Sequence, residues 1–228
     1  MLSGFVPALG LSCATVRPAE NPVPALVAAH VEAMERVKPT LFDVFKYLEC
    51  HDVWDILDET VENTLTPEHI PALIAALEAM NAAALDAGAK AGPFITSTDE
   101  WVRTAGIQIQ YVYAELIKNN TESIQQLKAF QENPGSDKAL AQLGYTIENK
   151  ISGFSSGLYH TSEWVDEAIQ YHYPARKLRH YPKAERADIV KRLENLYGLD
   201  PGKKKKELTV YEGVHFCNAA VSLWERLK

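Results

Sequence analysis

Five carboxylates follow one another at helical spacing shortly after residue 50. They are Asp52, Asp55, Asp58, Glu59 and Glu62. Steps of three and four residues place them along one face of a helix. Such a face can hold Mg²⁺ when a second carboxylate-bearing helix stands opposite, and the sequence offers no matching second set. We therefore expect a solvated acidic face or one that docks on a basic partner.

A second group of metal-ligand types is His160, Glu163 and Glu167. A di-metal helical bundle needs Glu-x-x-His pairs on two helices and two further glutamates. Here the histidine precedes the glutamate, and the sequence contains no second pair of this kind. Glycine-rich phosphate loops, Gly-x-Ser-x-Gly and His-Glu-x-x-His are absent from the sequence. The sequence therefore predicts no catalytic residue, no metal and no cofactor, and it favours a protein that is not an enzyme.

The segment 174–206 is strongly basic, with 11 basic and 4 acidic residues. Tyrosines and histidines interleave with these bases, a composition that can neutralise phosphates and stack on nucleobases. The same residues could instead dock on a protein, and the four consecutive lysines could act as a nuclear-import signal. The candidate residues for binding a polyanion or a partner are Arg176, Lys177, Arg179, Lys183, Lys203, Lys204, Lys205 and Lys206.

The element predicted to organise the chain is a helix over 99–117. Its apolar residues step by three and four, as in a heptad seam: Val102, Ala105, Ile109, Val112 and Leu116. A second, narrower apolar arc holds Ile107, Tyr111 and Ala114. A helix that is apolar on two sides is expected to be covered on both, so we place it inside a bundle.

The remaining apolar patterns predict an all-α protein, a bundle of about nine helices with an extended, proline-containing N-terminal arm. Residues 1–23 form the arm and residues 24–228 one helical domain. Breaks are predicted at Lys38-Pro39, at Asn119-Asn120 and at a possible hinge over 152–157. Ser97 or Thr98 is expected to cap the central helix and Ser162 a later one. Leu85 is assigned to a buried helix face.

The amino-acid composition limits the class of protein further. Of the 228 residues, 46% are hydrophobic, enough for a sizeable core. Three unpaired-looking cysteines favour a reducing, intracellular compartment. No run of 18 apolar residues is present, so we expect no membrane-spanning helix. Residues 1–140 carry a net charge of −10 and residues 141–228 one of +3, which suggests a charged partner or pairing between copies.

These observations predict a non-catalytic helical subunit that acts through protein–protein contacts in a larger complex. The apolar arm and a wide apolar face on the last helix, 208–227, would bury their surfaces on neighbouring subunits or copies. One alternative is a nucleic-acid-coating protein that uses the segment 174–206. Another is a helical bundle that binds a lipid or other ligand in an apolar pocket.

Overall fold

The computed structural model describes residues 21–48, 65–197 and 214–228. These residues form six α-helices, two short 3-10 helices and no strand, which confirms the all-α class. The N-terminal arm, the acidic face and the four lysines of the basic segment lie outside the described residues. The α-helices are α1 (Val23–Phe45), α2 (Ile70–Ala89), α3 (Glu100–Glu132), α4 (Asp137–His172), α5 (Lys183–Tyr197) and α6 (Val214–Leu227). The 3-10 helices are Pro67–His69 and Ala175–His180.

Helices α1 to α4 form the body of the bundle. Each packs on the next along the chain, and α1 also touches α4. Helix α6 packs on α4, and α5 lies against α1 and α6. The core is largely aliphatic, and its largest fully buried side chain is Tyr113. Bidentate ion pairs tie the added helices to the body: Arg192 of α5 to Glu35 of α1, and Arg226 of α6 to Asp166 of α4.

The predicted seam of α3 is confirmed, because all five of its apolar residues are buried. The predicted cap is wrong by one or two residues. Asp99, rather than Ser97 or Thr98, is the N-cap, and its Oδ1 accepts a hydrogen bond from the backbone N–H of Val102 at 3.0 Å. Its other oxygen lies 2.7 Å from Nε2 of His172, so the start of α3 is joined to the end of α4.

The second arc of α3 is not covered by the described residues, against expectation. Ile107 is 46% exposed and Tyr111 60% exposed, and Ala114 is exposed as well. Helices α2 and α4 both pack on α3 through its seam and its flanks. No described helix lies over this arc.

The described residues form fewer helices than the nine expected for the chain, because three predicted breaks fall within continuous helices. Pro39 is exposed inside α1, and buried Val37, Leu41 and Val44 on either side of it hold the helix to the core. Asn120 continues the α3 seam as a buried residue. The two Asn residues form no turn, because α3 runs on to Glu132.

Helix α4 also passes without a break through the glycines and serines of 152–157. Ser162 therefore caps nothing. It lies fully buried in mid-helix, where its Oγ is 2.8 Å from Nε2 of His30. Whether the segment 152–157 bends as a hinge stays a prediction.

Two predicted apolar surfaces also differ from expectation. Leu85 is 69% exposed, because the buried face of α2 passes through Ala84, Ala87 and Gly88 instead. The end of α6 is buried within its own bundle, with Leu223 and Leu227 fully covered. This part of the last helix is therefore not available to a neighbouring subunit.

Candidate interaction surface

A groove that is open to solvent lies between α3 and α4. The two helices approach closely at Gly157, where an added Cβ would lie 3.0 Å from Cγ2 of Val112. One turn earlier, at Gly153, an added Cβ would meet nothing within 4 Å. Gly157 therefore lets the two helices pack closely, and Gly153 leaves space between them.

That space is a cavity of about 360 Å³ that is open to solvent, within the size range of ligand and side-chain pockets. Its lining mixes apolar and polar side chains and contains no lysine or arginine. The lining residues from α3 are Gln108, Tyr111, Val112, Glu115, Leu116 and Asn119. Those from α4 are Gly153, Phe154, Gly157, His160 and Thr161.

Large apolar side chains are exposed on the two helices that form this groove, and one of them, Tyr111, lines it. Five such side chains are exposed in the described residues, and four of them belong to α3 or α4. We call these four the aromatic face: Ile107, Tyr111, Trp164 and Tyr171. The ring of Tyr171 lies 5.5 Å from that of half-buried Trp101. Exposed Tyr and Trp are the residue types enriched at the centres of protein interfaces.

Glu115 is a carboxylate in this groove that has no partner among the described residues. Seven Asp and Glu side chains in the described residues are half-buried. Six of them have a partner: Glu32, Glu35, Asp99, Glu148, Asp166 and Glu194. Glu115 alone among them has no hydrogen bond or ion pair. A carboxylate that is partly removed from water gains free energy when a cation binds it.

The sequence-predicted ligands His160 and Glu163 are joined to each other. Nδ1 of His160 lies 2.8 Å from Oε2 of Glu163, and both side chains are exposed. Glu167 is exposed one turn further along α4. In the part of the chain that the structure describes, no group of three or more His, Cys, Asp or Glu side chains is placed to hold a metal ion.

The described part of the basic segment extends from the end of α4 into α5. Arg176, Lys177 and Arg179 are exposed on the 3-10 helix Ala175–His180, and Lys183 is exposed at the start of α5. None of the four forms an ion pair with the described residues, and Nε of Arg179 donates a hydrogen bond to Nε2 of neighbouring His180 at 3.4 Å. Arg192, by contrast, holds α5 to α1 through Glu35, and this hydrogen bond raises its pKa. The segment therefore divides into free cations near its start and a structural arginine near the end of α5.

The contact between His30 and Ser162 has the residue types of a catalytic pair but not the setting. A nucleophilic serine must reach substrate, and its histidine is oriented by a third group. Both side chains are completely buried, neither lines a cavity described here, and Nδ1 of His30 has no partner in the described residues. Burial lowers the pKa of His30 to about 4. The pair is a neutral contact between α1 and α4.

A larger, shallow cavity of about 800 Å³ lies where α1 and α5 begin. Pro22, Pro24, Tyr173 and Ile189 give it an apolar wall, and Glu185 and Asp188 lie at its edge. Tyr173 packs on Tyr181 with ring centres 5.0 Å apart, and burial raises the pKa of both hydroxyls. The two tyrosines fix the ends of the 3-10 helix that carries the free cations.

One helical stretch of the described residues, Pro67–Ala89, is long and apolar enough to cross a membrane by length and composition alone. Leu73, Leu77 and Met80 on it are buried in the bundle. Core helices of bundles pass the same test, so this stretch gives little support to a membrane span.

Comparison with known proteins gives no relative. No family model matches the chain, and neither a curated protein nor a solved structure is significantly similar to it.

Proposed function

We propose that this protein is a non-catalytic helical subunit that acts through protein–protein contacts in a larger complex. The observation that carries the proposal is the aromatic face on α3 and α4. Burying such side chains is worth roughly 25 cal/mol per Å² of apolar area. A surface of Tyr and Trp side chains beside a groove is typical of a binding site for another protein.

Two further observations support this proposal. The second apolar arc of α3 has the pattern of a covered helix face, and no described helix covers it. The contact between Ser162 and His30 is buried beyond the reach of a substrate. The aromatic face replaces the last helix as the expected contact surface, because the end of that helix is buried in its own bundle.

The test is the native mass of the tagged full-length chain in an extract of its own cells. We expect a mass well above that of the 25.4 kDa chain. The double substitution Tyr111→Ser and Trp164→Ser should shift it towards the monomer, because it removes most of the exposed aromatic area. The matched control is Leu85→Ser, since Leu85 is the other large exposed apolar residue and lies on α2. A monomer mass for the unmodified chain refutes the proposal.

A nucleic-acid-coating role is the second candidate. Arg176, Lys177, Arg179 and Lys183 favour it, because all four are exposed and without ion pairs in the described residues. Four phosphate contacts to single-stranded RNA correspond to a slope of roughly −3 in a plot of log affinity against log salt concentration. Substituting all four by Ala should remove that slope. Equal binding by the substituted chain, or no binding at low salt, rejects this candidate.

A further inference from the structure

The groove and the free cations of the same chain are complementary in charge. Glu115 is a half-buried carboxylate that has no partner among the described residues, and it lines an open cavity beside the exposed ring of Tyr111. A carboxylate next to an aromatic face is a favourable setting for a guanidinium group. The carboxylate accepts two parallel hydrogen bonds, and the ring attracts the cation.

The open space at Gly153 adds room for an incoming side chain. A Cβ there would meet nothing within 4 Å, so the groove beside Glu115 is not filled by α4 itself. Lys118 is the nearest cation along α3, one turn beyond Glu115. It is exposed and forms no ion pair with Glu115. The described residues around the groove therefore leave this carboxylate without an ion pair.

The free arginines of the 3-10 helix cannot reach the groove of their own chain. Helix α4 runs without a break from the groove to His172, and the 12 residues from His160 to its end span roughly 18 Å. Buried Tyr173 and Tyr181 then hold both ends of the 3-10 helix against the bundle. The cations are fixed on one end of the molecule and the groove lies further along it.

We propose that the groove binds the segment 176–179 of a second copy, with a guanidinium of Arg176 or Arg179 on Glu115 and against Tyr111. This inference rests on the proposed function, since it names the partner of the α3–α4 surface. The two contacting surfaces differ, so the contact is heterologous and joins copies head to tail. Such a contact builds either a closed ring or an open chain.

The test is sedimentation velocity of the purified full-length protein over a wide concentration range at low salt. We expect the unmodified protein to associate, and to associate more weakly as salt is raised. Glu115→Ala should weaken association at least tenfold, and so should the double substitution Arg176→Ala and Arg179→Ala. Lys118→Ala and Lys183→Ala are matched controls that remove an exposed cation and should leave association intact. Unchanged circular dichroism and melting would show that each variant is folded.

Mixing the two disabled variants makes the test specific. Glu115→Ala keeps its arginines, and the arginine double variant keeps its groove. One heterologous contact can therefore form between them, and the mixture should stop at a one-to-one dimer. A symmetric face-to-face contact cannot be restored by mixing in this way.

Four results overturn the inference. The first is an unmodified protein that is monomeric at every concentration, the second is a set of variants that associate as strongly as the unmodified protein, and the third is a mixture that stays monomeric. Equal association by the Lys118→Ala control and the Glu115→Ala variant overturns it as well. If the chain is large in cell extract but monomeric when purified, the proposed function stands and this inference falls. If the aromatic-face substitutions leave the native mass unchanged, the proposed function falls.

Discussion

Acid should destabilise this protein through His30 in particular. The imidazole is completely buried, and burial lowers its pKa from 6.5 to about 4. The unfolded chain therefore binds a proton on this residue at a higher pH than the folded chain does. Its contribution to stability is fully present above pH 6.5 and is lost as the pH falls towards 4.

The size of the effect follows from the two pKa values, at 1.36 kcal/mol per unit. Between pH 7 and pH 5 the unfolding free energy should fall by about 2 kcal/mol through this residue alone, and by about 3 kcal/mol at pH 4. No charge contributes to the shift, because its cause is burial. Added salt should therefore leave the effect largely unchanged.

Urea denaturation followed by circular dichroism, repeated from pH 7 to pH 4, measures the effect. His30→Gln removes the titrating group and retains a polar side chain that can meet Ser162, so its stability should depend less steeply on pH. The matched control is His160→Gln, which removes an exposed histidine and should keep the full pH dependence. If the free energy of unfolding falls equally steeply with pH in the unmodified protein and in His30→Gln, the reasoning is refuted.

Three further predictions concern the packing that shapes the bundle, and denaturant unfolding checks each of them. Gly153→Ala should stabilise the protein by up to about 1 kcal/mol, because its Cβ meets open space in mid-helix. Gly106→Ala should destabilise it by on the order of 1–3 kcal/mol, because the added Cβ would lie 2.8 Å from Cβ of Phe94 and 3.1 Å from its carbonyl carbon. Equal effects of the substitutions at Gly153 and Gly106 would contradict this packing. Tyr113→Phe should leave stability unchanged or raise it by about 1 kcal/mol, because the buried hydroxyl has no hydrogen-bond partner in the described residues. A loss of more than about 1 kcal/mol would show that the hydroxyl is satisfied.

The sequence predicted the fold best where apolar spacing was regular. The steps of three and four along α3 identified its buried face from Val102 to Leu116. The same seam continues through Asn120, Ser123 and Leu127, all of which are buried. The adjacent asparagines indicated a turn because they are polar, and only packing in the bundle makes them part of a helix. Pro39 indicated a break because proline lacks a backbone N–H, and packing of the buried residues on either side of it keeps it within α1.

The candidate site was less accessible to sequence reasoning. The second arc of α3 did signal the aromatic face, but it was read as a buried surface. The groove depends on which residues of α4 meet α3, and Gly157 against Val112 sets that register. Glu115 stands out only when every neighbouring cation has been placed. Neither the register nor the missing partner is encoded in local spacing.

Hydroxyl-radical footprinting of the native complex, compared with the isolated chain, tests the central claim most directly. Tyr111, Trp164 and Tyr171 should be labelled in the isolated chain, where all three are exposed, and protected in the complex. Leu85, which is also exposed but lies on α2, should be labelled alike in both. Equal labelling of the three aromatic residues in the complex and in the isolated chain would contradict the account.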